Sequence, residues 1–136
     1  MPVLNPQALV DERVDAIRRV HAQTGIKRAE IDVSGGVDSA TILGLLAKAL
    51  GPDNVTAVYS SIQSSEDSRK RAREAAEAFG VRLVELELSA IFDTLIAECR
   101  RGLDAAGYDL AEVDALCDRD GTVLGSIRSC IRAPIG

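Results

Sequence analysis

The residues of this chain best suited to do chemistry are concentrated in one run, Ser34-Gly35-Gly36-Val37-Asp38-Ser39. An alternating apolar segment precedes it and an apolar segment of helical period follows, so the run is predicted to join a strand to the first turn of a helix. Backbone N–H groups at such a junction have no acceptor within the helix, and the aligned peptide dipoles favour an anion there. Gly35 and Gly36 let the main chain approach phosphate oxygens closely, through Val37 and into the helix, and the hydroxyls of Ser34 and Ser39 add donors. Asp38 is placed to hold a Mg²⁺ ion that bridges the same oxygens. The plainer alternative is a structural Gly-Gly turn in which Asp38-Ser39 caps the helix.

The elements that must position this run follow from periodicity. Asn5-Pro6 starts a helix over about residues 6–24, with Val10, Val14, Ile17 and His21 on one face and Gly25 as its stop. His21, the only histidine, is explained there by the helix dipole and packing. Ala29, Ile31 and Val33 alternate with Arg28, Glu30 and Asp32 as in a strand. Beyond the loop, Ile42, Leu45, Leu46, Ala49 and Leu50 make a helical face ended by Gly51-Pro52, and Val55 to Tyr59 reads as a second strand. A helix over about 66–79 turns Ala72, Ala75, Ala76 and Phe79 inward and pairs Glu66 with Lys70 and Asp67 with Arg71. Its Arg69-Lys70-Arg71-Ala72-Arg73 cluster is interleaved with acids and reads as a solvated face. Val81 to Leu86 is a third strand, 89–106 a helix, 107–119 an acidic irregular stretch, and 120–132 the start of another helix. Alternating strands and helices of these lengths imply right-handed crossovers and a parallel sheet.

Composition bounds the function classes. At roughly 100–200 residues per domain, a chain of 136 residues is expected to be a single domain. Sixteen basic side chains against 21 acidic ones give a net charge of −5, which argues against a general nucleic-acid binder. The start of the chain has no basic-then-apolar leader pattern and no segment is apolar enough to span a membrane, so a cytoplasmic protein is expected. Cys99, Cys117 and Cys130 are odd in number and fit neither a disulfide framework nor paired metal ligation, so they read as free thiols.

The six-residue run resembles the PP-loop of the N-type ATP pyrophosphatases, and it lacks the lysine of a Walker A loop. Along most of its length the chain is similar to the ammonia-ligating NAD synthetase family of that superfamily. The similarity is carried by the Thr24-Gly25 turn, the loop Ser64-Ser65-Glu66-Asp67, the helix end Phe79-Gly80-Val81, and the closing stretch Leu124-Gly125-Ser126-Ile127-Arg128-Ser129-Cys130-Ile131-Arg132. The resemblance implies a three-layer Rossmann-like α/β fold, adenine nucleotide alpha hydrolase-like, with ATP and Mg²⁺ as cofactors. It implies that the nicotinate carboxylate of deamido-NAD is adenylated with release of pyrophosphate and then amidated by ammonia. Ser34 to Ser39 would hold the pyrophosphate, Asp38 the metal, Ser60 to Ser65 would lie beside the adenosine, and Arg128 and Arg132 would bind deamido-NAD. A homodimer is implied, with a glutaminase or a chain carrying the second half of the enzyme as further partners. Alternatives are a related ligase acting on another carboxylate and a non-catalytic ATP-binding module. Three departures stand out: the family has apolar residues or glycine where this chain has Glu30 and Asp32, it has Asn and Arg where the closing stretch has Ser126 and Cys130, and members continue well past Gly136. If the first strand is central and buried on both faces, those two carboxylates need arginine partners or mark an altered nucleotide site.

Overall fold

A computed structural model describes residues 5–119 and 122–132. Its elements, in chain order, are α1 (Pro6–Thr24), β1 (Ala29–Asp32), α2 (Val37–Leu50), a 3-10 turn at Pro52–Asn54, β2 (Val55–Ser61), α3 (Glu66–Ala78), β3 (Arg82–Glu87), α4 (Ser89–Ala105), α5 (Leu110–Arg119) and α6 (Thr122–Arg132). The strands form an open parallel sheet ordered β1-β2-β3, as the alternation predicts. β1 pairs with β2 from Ala29 opposite Val55 to Asp32 opposite Val58.

The chain divides into two compact units: one runs up to Ser60 and resumes over Ser64–Leu86, and the other comprises Ser61–Gln63 and the chain from Glu87 onward. In the first unit the core is Val33, Leu43, Ala47, Val55, Ala57, Tyr59, Ala72 and Val81, so α2 and α3 close over β2 with small and branched side chains. Ala57 and Ala72 are fully buried, which lets helix and sheet backbones approach closely. The inward face of α2 is the predicted one in part: Leu46 and Leu50 pack against the core, with Leu43 and Ala47 buried beside them, whereas Ile42 is 48% exposed. Phe79 is also not a core residue. It sits across α2 at Gly44, where an added Cβ would lie 2.7 Å from its Cζ, and it remains 41% exposed.

The charged first strand pairs with β2, which lies between β1 and β3 in the described sheet and has five of its seven residues buried. The burial of β1 alternates, and both Glu30 and Asp32 are exposed. Neither carboxylate has an ion-pair partner among the described residues, and an exposed one needs none. Of the two explanations offered for these carboxylates, pairing with arginines is not observed among the described residues.

Helix ends are closed by local chemistry. Asn5 accepts from the N–H groups of Gln7 and Ala8 at the start of α1, and Gly25 ends it at φ +70°. Arg18 reaches from α1 to donate to the carbonyls of Lys48 and Ala49, at 3.2 and 3.1 Å, satisfying orphan acceptors at the end of α2. Gly80, at φ +66°, terminates α3 while Val81 N–H bonds back to Ala76 O.

In the second unit, the predicted irregular stretch is largely helical. α4 ends at Gly107, φ +85°, and Asp109 then accepts the N–H of Ala111 at the start of α5. Asp109-Leu110-Ala111-Glu112 has the spacing of a helix-start capping pattern, a signal masked by the acidity of its surroundings. Arg100 of α4 pairs with Asp114 of α5. The three cysteines are free, and no described helix is long and apolar enough to cross a membrane.

Candidate functional site

The parallel register delivers the loop to the carboxyl end of the sheet. Val33 N–H bonds to Val58 O at 2.8 Å, one step beyond the end of β1, and the chain then leaves the sheet at Ser34. Carried on, the register that sets Asp32 against Val58 brings Ser34 level with Ser60, the half-buried penultimate residue of β2. Such carboxyl ends are where open α/β sheets present their ligands.

The loop is held by its own side chains. Ser34 N–H donates to Ser39 Oγ at 3.1 Å, Ser39 Oγ donates to Gly36 O at 3.1 Å, and Gly36 N–H donates to Ser34 Oγ at 3.2 Å. The two hydroxyl oxygens lie 3.2 Å apart. Both serines, expected as donors toward an anion, thus shape the loop from within. Gly35 is required by space as well as by its φ of +77°: an added Cβ would lie 2.3 Å from the carbonyl oxygen of Ser68. That contact brings the first turn of α3 against the loop.

Gly36 is the N-cap of α2 and supplies no side-chain acceptor. The first intrahelical bond is Ala40 N–H to Gly36 O at 3.2 Å, so the N–H groups of Val37, Asp38 and Ser39 lie ahead of it. Asp38 and Ser39 therefore supply no side-chain cap to the helix. Val37 is 77% exposed although apolar, and the exposed Asp38 carboxylate has no partner among the described residues. Three N–H donors with a carboxylate beside them can receive an anion that carries a divalent cation. Mg²⁺ is commonly bound by one or two protein carboxylates plus substrate phosphates, so the residues fit it. No cluster of three or more His, Cys, Asp or Glu suited to a metal occurs among the described residues.

The basic cluster of α3 is not simply a solvated face. Arg69 lies over the ring of Tyr59, 6.0 Å from its centroid. Arg73 forks onto Glu85 of β3 at 2.8 and 2.9 Å, and this hydrogen bonding holds the Glu85 carboxyl below its usual range while raising the arginine. Arg71 donates Nε to Gly35 O at 2.8 Å and Nη2 to Ser68 Oγ at 3.3 Å. The predicted Glu66–Lys70 and Asp67–Arg71 pairs give way to Glu66 with Arg69 and Arg73, and Lys70 with Glu74.

Arg128 and Arg132 belong to the second unit, on α6. The guanidinium of Arg128 stacks over Phe92 at 5.2 Å and donates Nη2 to Gln63 Oε1 at 2.9 Å. Gln63 is held at φ +51°, and it donates its N–H to Ser89 Oγ at 2.8 Å and Nε2 to Asp93 Oδ1 at 2.9 Å. Arg132 is half-buried. Ser68 was not singled out by sequence, and Arg71 was read there only as part of a solvated basic face paired with Asp67, whereas it bonds to Gly35 O and Ser68 Oγ.

A parallel α/β sheet whose two-glycine loop opens onto an uncapped helix start defines a Rossmann-like protein with an anion-receptive site. The family model described as NAD synthase matches residues 9–117, and the chain belongs to that family. An NH(3)-dependent NAD(+) synthetase from Chlorobium phaeobacteroides is 40% identical over 88 residues, covering 63% of this chain and 32% of that protein. The same-named protein from Wolinella succinogenes is 37% identical over 81 residues, 60% of this chain and 32% of its own. Among solved structures, the Campylobacter jejuni NH3-dependent NAD synthetase with nitrate superposes with a TM-score of 0.73 at 19% identity, over 98% of this chain and 51% of that one, a likeness of fold. The Acinetobacter baumannii glutamine-dependent NAD+ synthetase with ADP gives 0.67 at 25% identity, over 95% and 25%. The chain thus spans about half of the Campylobacter structure and about a third of the two curated relatives.

Proposed function

We propose that this chain carries the ATP-binding part of an ATP-dependent amide ligase of the NAD synthetase kind. The observation that carries the reading is the start of α2: three N–H groups ahead of the first helical bond and no side-chain cap, in a loop that other contacts hold open. Membership of the NAD synthase family supports it. The β- and γ-phosphates of ATP lie on Ser34 to Ser39, where fixed N–H dipoles stabilise the charge that builds up on departing pyrophosphate. The nicotinate carboxylate of deamido-NAD attacks the α-phosphorus, the bond to the bridging oxygen breaks, and pyrophosphate leaves. Ammonia then attacks the acyl-adenylate and AMP departs. Asp38 would hold Mg²⁺, which when bound neutralises charge on the phosphate oxygens. Ser60 is assigned to the adenosine side, and Arg128 and Arg132 to deamido-NAD. A homodimer in the cytoplasm is part of the same reading, with ammonia free or delivered by a glutaminase, since relatives named for either donor match.

The test is pyrophosphate release from Mg²⁺-ATP with deamido-NAD and ammonium. Release that requires all three substrates is expected, and Asp38→Ala is expected to lower it at least about 100-fold, the scale of losing one transition-state charge contact. Nucleotide binding without release would instead make the chain a binding module. Unchanged turnover in Asp38→Ala would remove the metal assignment.

A further inference from the structure

The least restrained peptide plane in the loop is the one between Gly35 and Gly36, because neither flanking residue has a Cβ to limit its rotation. A peptide is planar, so its carbonyl oxygen and its N–H point in opposite directions and turn together. Both ends of this plane are pinned: Gly36 N–H by Ser34 Oγ at 3.2 Å, and Gly35 O by Arg71 Nε at 2.8 Å. Arg71 is itself steadied through Nη2 by Ser68 Oγ, which lies 2.9 Å from Ser65 Oγ at the N-cap of α3. The carbonyl of Ser68 is also the surface against which Gly35 packs.

We propose that Arg71 is a positioning residue of the pyrophosphate loop, one that locks the Gly35–Gly36 peptide so that its carbonyl is held away from the bound anion. Without that anchor the plane can turn, and a carbonyl dipole then faces the phosphate where donors are needed. The guanidinium does this from α3, the helix that follows the neighbouring strand, so the loop's shape is set by the packing of a second element. The proposal rests on the loop binding pyrophosphate.

Inorganic pyrophosphate and AMP are titrated calorimetrically into the 136-residue chain and into Arg71→Met, Arg71→Lys and Ser34→Ala. Arg71→Met is expected to weaken pyrophosphate roughly 10-fold or more, the scale of one charge-assisted hydrogen bond, with AMP affinity unchanged. Arg71→Lys keeps the charge but cannot fork between Gly35 O and Ser68 Oγ, so most of the loss is expected to remain. Ser34→Ala frees the other end of the same plane and is expected to give the same selective loss. Full restoration by lysine would overturn the proposal in favour of charge alone. So would an equal loss of AMP binding, which marks general destabilisation, or pyrophosphate affinity unchanged in Arg71→Met. A wild-type chain that binds neither pyrophosphate nor Mg²⁺-ATP would overturn the functional reading, and the Arg71 proposal with it. Should Arg71→Met fail to fold, the lysine variant decides alone.

Discussion

Gly35 and Gly25 share a left-handed backbone yet should respond very differently to the same change. At Gly25, φ +70°, an added Cβ meets nothing within 4 Å, whereas at Gly35, φ +77°, it meets Ser68 O at 2.3 Å. Gly25→Ala is expected to lower unfolding free energy by about 1–2 kcal/mol, the penalty of a left-handed residue with a side chain. Gly35→Ala adds a backbone clash to that penalty, so a loss clearly beyond 2 kcal/mol is expected, measured by urea unfolding. Equal losses would show that α3 gives way at no cost and that the loop is not packed against Ser68.

At the scale of elements, α3 is tied to β3 by the fork from Arg73 to Glu85. Its hydrogen bonds lower the Glu85 carboxyl in the folded chain, so the unfolded chain binds that proton more readily. The resulting stability is present above the ordinary glutamate value of about 4.3 and fades as pH falls through the lower folded value. Glu85→Gln is expected to lose about 0.2–1 kcal/mol at pH 7, as exposed pairs do, and to flatten the stability decline below about pH 4.5. A parallel pH profile for the two proteins would show that the pair contributes nothing. The contact of α1 with α2 has a similar handle. Arg18→Met removes donors to two terminal carbonyls and is expected to lower stability by about 1 kcal/mol by the same urea measurement. Here the sequence was legible only in outline. Period 3.6 located α2 and α3, but it placed Ile42 and Phe79 inward when Leu43 and Ala47 take the core, because a short apolar-rich helix offers more than one plausible face. Charge spacing likewise favoured neighbours on the same helix, whereas Arg71 and Arg73 bond to a loop and a strand that periodicity cannot see.

For the whole molecule, binding and stability are linked. A ligand that binds only the folded chain at 100 times its dissociation constant adds about 2.7 kcal/mol. Pyrophosphate at that excess is expected to produce this increase in urea unfolding, with hydrogen-exchange protection gained at Ser34 to Ala40. Stabilisation without protection there would place the anion elsewhere. The exposed carboxylates of β1 belong to this scale too. Whether Glu30 and Asp32 are tolerable depends on burial, since the same residues would be costly in β2, five of whose seven residues are buried, and both are exposed on β1.

The amino-acid sequence by itself determined the α/β alternation, the parallel sheet, the two-glycine loop at a strand-to-helix junction and the family that loop belongs to. All of these are local: a period, a turn, a run of six residues. Tertiary structure alone decided that β2 lies between β1 and β3 in the described sheet, that Ser34 and Ser39 bond within the loop, and that Ser68 and Arg71 support it from another helix. The strand pairing and the support from α3 depend on contacts between residues 26 to 36 positions apart, from Ala29 with Val55 to Gly35 with Arg71, and such contacts exist only once the sheet has brought its helices together.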